Sequence, residues 1–277
     1  MTACCTFTAP AETLMHNDRL TANGKLSIVT TSWDDGDPRD LRIAELLQSR
    51  GVCGTFYVPI IGFNGGPTLS QAETRLLATQ GFEIGAHGLS HHTLPKFRGK
   101  ELKREVAVCK ARLEDALEEP VRMFSYPKGR YSPRVVRALK DAGYEGARTT
   151  RMMACDLSFD SFEIPTTLQV YPHKRSMYIK NIVRAGDIRR LCDYMIRLRE
   201  FKNWVELGKR LFDRVLSEGG VWHLVGHSWE IDEMGLWDQL REMLEYVSSR
   251  EKVLYITNYD VLRVRAREAA KAVLFEK

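Results

Sequence analysis

Short apolar runs alternate with amphipathic stretches from Leu26 almost to the end of the chain. That alternation constrains the fold more than any other feature. Leu26–Trp33, Cys53–Pro59, Phe82–Ala86, Val121–Tyr126 and Tyr144–Thr149 are short and rich in β-branched or aromatic residues, so they read as strands. Helical patterns lie between them. Residues 37–50 put Leu41, Ile43, Ala44 and Leu47 on one side, and Gly51 ends the run. Ser70 followed three residues later by Glu73 is a capping box, and Pro120 stops a long helix over 100–118. Strand then helix, repeated, predicts a parallel sheet with its functional groups at the carboxyl ends of the strands. Strands at 221–225 and 253–257 and helices over 188–199, 203–217, 236–249 and 259–275 continue the pattern. Residues 151–187 are the least patterned stretch, with one expected strand at 166–171.

The 277 residues, 44% of them hydrophobic, suffice for one large α/β domain. Residues 25–277 read as that domain, and residues 1–24, which lack periodicity, as an irregular extension. The net charge of +5 is mild and its charges are interspersed. With no basic stripe carrying interleaved aromatics, nucleic acid is not an expected partner. No run approaches the length of a membrane span, so no membrane partner is expected. The six cysteines form no CxxC pair. Cys53, Cys109 and Cys192 fall within apolar patterns and read as core thiols. Thiols without a basic-then-apolar leader point to a reducing, cytoplasmic location.

The first strand ends in Trp33-Asp34-Asp35-Gly36. Two adjacent carboxylates repel unless a cation or a shared proton offsets them. The pair therefore predicts a nearby metal ion, with one Asp as ligand and the other free to take a proton. After the third strand come His87 and His91, four apart, a spacing that brings both imidazoles to one side of a helical turn. Two imidazoles and one carboxylate leave open positions on zinc or a similar ion. Tyr126-Pro127-Lys128-Gly129 closes the fourth strand, and His227 follows the strand at 221–225.

In this combination the chain resembles the polysaccharide deacetylases of carbohydrate esterase family four, the group with the NodB homology domain. The family's Thr-Phe-Asp-Asp-Gly is similar to Thr31-Ser32-Trp33-Asp34-Asp35-Gly36, with one extra residue before the aromatic. Its His-Ser/Thr-x-x-His matches His87-Gly88-Leu89-Ser90-His91, and its Leu-x-His looks like Leu224-Val225-Gly226-His227 with one residue added. The resemblance implies a distorted (β/α) barrel of seven or eight parallel strands and one divalent metal, with Zn²⁺ the first expectation. It implies Asp35, His87 and His91 as metal ligands, Asp34 as general base and His227 as general acid. Tyr126, Lys128, Arg148 and Trp229 are expected around the substrate, with the Lys128 backbone N–H as an oxyanion donor. The implied substrate is an N- or O-acetylated sugar or small saccharide. A cyclic amide hydrolase of the same fold and a catalytically silent carbohydrate-binding relative are the alternatives.

Two family motifs are altered. The family's Arg-x-Pro-Tyr-Gly aligns with Ser125-Tyr126-Pro127-Lys128-Gly129, so the arginine that steadies the base is absent. Arg130 or Arg148 is expected to replace its charge. The Asp-x-x-Asp-Trp motif has no counterpart, which leaves Asp156 and Asp160 as candidate partners for His227. His92, beside His91, is a further candidate ligand.

Overall fold

The computed structural model describes residues 25–62, 65–198 and 200–275; the expected extension at 1–24 lies outside them. Eight strands are present among the described residues: β1 (Ser27–Asp34), β2 (Thr55–Val58), β3 (Glu83–Ala86), β4 (Met123–Ser125), β5 (Gly146–Arg148), β6 (Leu168–Gln169), β7 (Gly220–Gly226) and β8 (Val253–Tyr255). Every pairing is parallel, in the order β5-β4-β3-β2-β1-β7-β6. β7 pairs with β1 from Ser27 to Trp33. The other edge of β1 is shared, with β8 along Ser27–Val29 and β2 along Ser32–Asp34. Between β5 and β6 the chain spans the gap irregularly, through an Arg148–Ile164 bridge and a hydrogen bond from Thr167 N to His223 O. The result is the parallel sheet that the strand–helix alternation predicts, curved into the distorted and incompletely closed α/β barrel that the resemblance implies.

The helices are α1 (Asp40–Ser49), α2 (Gln71–Thr79), α3 (Gly99–Leu117), α4 (Pro133–Asp141), α5 (Arg175–Ala185), α6 (Ile188–Asp193), α7 (Trp204–Glu218), α8 (Ser228–Glu233), α9 (Trp237–Val247) and α10 (Asn258–Phe275). The Ser70–Glu73 capping box opens α2 as expected. Asn203 caps α7 through its side chain, with Leu207, Leu211 and Val215 on the buried face. α5 and α8 were not anticipated. Among the described residues no helix is long and apolar enough to cross a membrane.

All eight residues of β1 are buried, including Thr30, Thr31, Ser32 and Asp34. A central strand with so many polar side chains needs partners inside the barrel. Asn258, at the start of α10, supplies several: its amide donates to Thr30 Oγ1 at 2.8 Å, and its carbonyl oxygen accepts from Tyr57 Oη at 3.0 Å. Ser32 Oγ pairs with His223 Nε2 at 2.9 Å. Of the three cysteines read as core thiols, Cys53 and Cys109 are buried, but Cys192 is exposed. Its apolar stripe on α6 faces outward, because Tyr194 and Leu191 fill the inward side instead.

Candidate active site

Asp34 is the last residue of β1, and the two residues after it take left-handed backbone, Asp35 at φ 76° and Gly36 at φ 60°. On a regular strand the two carboxylates would face opposite sides. The left-handed turn re-aims Asp35, so both line one cleft at the carboxyl ends of the strands. The cost of a non-glycine residue at positive φ, about 1 kcal/mol or more, is typical of functional turns. The cleft has a volume of about 370 Å³, within the range of small-molecule sites.

His87 leaves the end of β3 and His91 follows in an irregular loop, itself at φ 53°. The helical turn expected from their spacing is absent. Glu105 of α3 braces the loop instead, accepting from Ser90 Oγ at 2.8 Å and Ser90 N at 3.2 Å. The Nε2 atoms of His87 and His91 lie 3.3 and 2.9 Å from Asp35 Oδ1. His87 Nδ1 donates to Ser125 O at 2.8 Å, which leaves Nε2 as the lone-pair nitrogen facing Asp35. Asp35 Oδ2 accepts from Trp229 Nε1 at 2.8 Å, whereas Oδ1 is buried with no hydrogen-bond partner. Donor atoms from the three residues lie within 4.8 Å of one another. A buried carboxylate oxygen left without a donor, beside two imidazole nitrogens, is the donor set a divalent cation takes. His92 is exposed and turned away, its Nδ1 2.8 Å from Ser90 O.

Asp34 meets a different set of groups. Arg148, buried at the end of β5, forms an ion pair and hydrogen bond with Asp34 Oδ1. Ser125, in the place where the family carries arginine, approaches Asp34 Oδ2 at 3.5 Å. The cation has therefore moved from the end of one strand to the end of its neighbour, and β4 and β5 pair with Ser125 opposite Arg148. Arg130, the other candidate, is exposed. Burial would raise the Asp34 pKa, but Arg148, His87 and His227 outweigh it and hold the carboxyl below its usual range.

His227, just beyond β7, points Nε2 toward Asp34 Oδ2 at 3.9 Å. Its Nδ1 lies 3.3 Å from Glu230 Oε2, one turn further on in α8. Glu230 is steadied by Gln169 Nε2 at 3.0 Å, and Gln169 Oε1 by His173 at 3.0 Å. Burial alone would lower the His227 pKa, but Glu230, Asp35 and Asp34 more than offset it and raise it to about 9. The proposed partners Asp156 and Asp160 are elsewhere: Asp156 pairs with Arg190, and Asp160 accepts from Phe162 N. Glu230 was missed, although a carboxylate three residues after a histidine at a helix start is a readable spacing. Ser228 Oγ donates to Asp40 Oδ1 at 2.6 Å and ties the His227 turn to α1.

The expected substrate contacts divide. Tyr126 and Lys128 border the cleft. The Tyr126 hydroxyl, however, donates to Phe162 O at 2.9 Å and its ring stacks on Tyr131, so its side chain serves packing. Lys128 sits at the rim at φ 57°. Arg148 stands behind Asp34 and Trp229 orients Asp35; each reaches the cleft wall while holding an acid.

Residues 22–147 match the family model described as polysaccharide deacetylase. Over that stretch the chain is similar to the polysaccharide deacetylases. It is 24% identical over 123 residues to a candidate polysaccharide deacetylase, YxkH, of Bacillus subtilis, a match covering 44% of each chain. The aligned part thus spans under half the length of that curated relative. Among solved structures, a candidate polysaccharide deacetylase from Mycobacterium smegmatis superposes with a TM-score of 0.62 at 17% identity, covering 88% of this chain and 92% of the other. Bacillus subtilis PdaA, a family 4 carbohydrate esterase, gives 0.54 at 12% identity over 87% and 82%. At those identities the likeness to polysaccharide deacetylase structures is one of fold. The matched segment contains Asp34, Asp35, His87 and His91, whereas Arg148, Glu230 and His227 lie beyond it.

Proposed function

We propose that the cleft hydrolyses the acetyl group of an N- or O-acetylated sugar or small saccharide with the help of a divalent cation. One observation carries this reading. Asp34 and Asp35, adjacent in sequence, are held by two different sets of partners, one cationic and one made of metal-ligand types. Asp35, His87 and His91 would hold the cation, which would supply Lewis-acid polarisation of the acetyl carbonyl and acidify a nearby water.

Asp34 then receives the water's proton. Its Oδ1 is committed to Arg148, so the proton goes to Oδ2, which faces the cleft and His227. A carboxylate held low is a weak base but is ionised at neutral pH, as a proton acceptor must be. His227, charged below about pH 9, donates from Nε2 to the departing amine or alkoxide. Glu230 on Nδ1 keeps that imidazolium oriented, and Gln169 keeps Glu230 in place. Lys128 and Trp229 flank the space left for the sugar.

The test is acetate release from a panel of acetylated sugars, alongside metal analysis of the purified protein. Activity lost on chelation and restored by added Zn²⁺ is the expected result. Acetate release untouched by chelation overturns the metal-dependent reading. No acetate from any acetylated sugar by the metal-loaded protein overturns the substrate class.

A further inference from the structure

The segment from α5 to the start of α7 has a composition unlike the rest of the chain. From Lys174 to Lys202 the sequence holds nine basic and three acidic residues, a net of +6, while the whole chain nets +5. The remainder of the protein is therefore close to neutral, and its basic character is gathered here. The same segment carries five of the eight large hydrophobic residues exposed among those described: Met177, Val183, Ile188, Met195 and Ile196. Ile188 and Ile196 are 75% and 77% exposed. Ile188, Cys192 and Met195 recur at helical spacing and all three are exposed, so they form a stripe rather than isolated residues.

This surface is built in place. Tyr178 and Ile182 anchor α5 in the core. Asn181 clamps α5 to the cleft rim, donating to Thr150 O at 3.1 Å and accepting from Met152 N at 2.8 Å. Asp156 pairs with Arg190, and Asp193 with Arg214, which fixes α6 against the barrel. The outward stripe is left over after that anchoring.

We propose that the segment 174–202 docks this protein on an anionic lipid bilayer. Cations interleaved with exposed aliphatic side chains match the two layers of such a surface: headgroup phosphates for Lys and Arg, and the upper acyl region for Ile, Val and Met. A nucleic acid would engage the cations and leave Ile188 and Ile196 in water. A second copy of the chain would set two net-basic segments against each other. No spanning segment is needed, so the sequence argument against a membrane partner, drawn from span length, does not bear on this surface. Met177, Asn181 and Arg184 of α5 also line the cleft, so docking brings the mouth of the cleft to the headgroup layer. On the hydrolytic reading above, on which this clause alone rests, the acetylated sugar is then one carried by a lipid.

The test uses the full chain and vesicle flotation. Vesicles of phosphatidylcholine alone are compared with vesicles containing about one-third phosphatidylglycerol, at about 0.1 M and about 0.5 M salt. The protein should float only with the anionic vesicles and be released by the higher salt. Ile188→Ser combined with Ile196→Ser should weaken binding by about tenfold or more while leaving thermal unfolding unchanged, since both side chains are exposed. Arg189→Gln should weaken it further. Failure of the wild-type chain to float, equal binding to neutral vesicles, or full binding by the double variant would each overturn the proposal. So would a double variant whose mass in solution drops from dimer to monomer, which would assign the stripe to self-association. Flotation is read without turnover: absent acetate release with flotation intact rejects the hydrolytic reading and leaves the docking surface standing.

Discussion

Asp34 and Asp35 are neighbours in the chain, yet one of them had readable surroundings and the other did not. The partners of Asp35 are His87 and His91, four residues apart in one loop. The partners of Asp34 are Arg148 from β5 and His227 from beyond β7, and His227 depends on Glu230 and Gln169 in turn. Short-range spacing encodes the first half. Register between strands far apart in sequence encodes the second half. A motif can preserve one while the other is rebuilt, and here the cation beside Asp34 sits one strand over from where the family places it.

If the two halves have different jobs, their losses must look different. The largest effects are expected from the two acid-side losses: in Asp34→Asn acetate release should fall by about a thousandfold or more, with the bound metal retained. His91→Ala should abolish activity through lost metal, measured as stoichiometry after dialysis. Metal lost from the Asp34 variant and kept by an Asp35→Asn variant would reverse the two assignments. Arg148→Met is expected next, about a hundredfold down in kcat with metal content unchanged and partial recovery in Arg148→Lys. Full activity in Arg148→Met would show that the guanidinium beside Asp34 is only structural.

Glu230→Gln should act more mildly and through pH. Glu230 and the two aspartates hold the His227 pKa at about 9. An acid catalyst loses activity as pH rises through its pKa, so removing Glu230 should move the basic limb of the kcat profile down toward the ordinary 6.5. An unmoved limb would remove Glu230 from the machinery. The smallest effect is a control outside the cleft. Burial of Glu83 raises its pKa to about 7 despite a hydrogen bond from Thr55. The folded state then holds the proton more tightly than the unfolded chain, whose value is near 4.5, so stability is lost as pH rises from about 4.5 through about 7. Glu83→Gln should therefore stabilise by roughly 3 kcal/mol at pH 8 and by nothing near pH 4, with acetate release unaffected. Equal melting temperatures at pH 8 would contradict that burial cost.

The parallel sheet was legible because alternation of apolar runs with capped amphipathic helices has few other solutions, while its curvature into a barrel came only from the motif resemblance. Ser70 with Glu73 and Pro120 after α3 are local signals, and they hold where they were read. Residues 151–167 were unreadable for a physical reason: there the sheet is bridged by single pairings such as Arg148 with Ile164, which leave no periodic trace. Cys192 shows the opposite failure. Its stripe has the period of a buried helix face but points outward, because an apolar period alone does not say which side meets the core. Glu230 was overlooked because the expected carboxylates, Asp156 and Asp160, were chosen by their nearness to the altered motif in sequence, and the partner rides instead on the helix that follows His227.

The position of β1 has a consequence for how the chain reaches its native state. This strand leaves the ribosome early, yet its partners β7 and β8 begin only at Gly220 and Val253. Closing loops of that length before any reward is collected makes for slow assembly. During synthesis the strand that ends in Asp34 has only β2 on part of one edge until β7 and β8 emerge, so a folding helper that shields the open edges would act on that run rather than on the finished barrel.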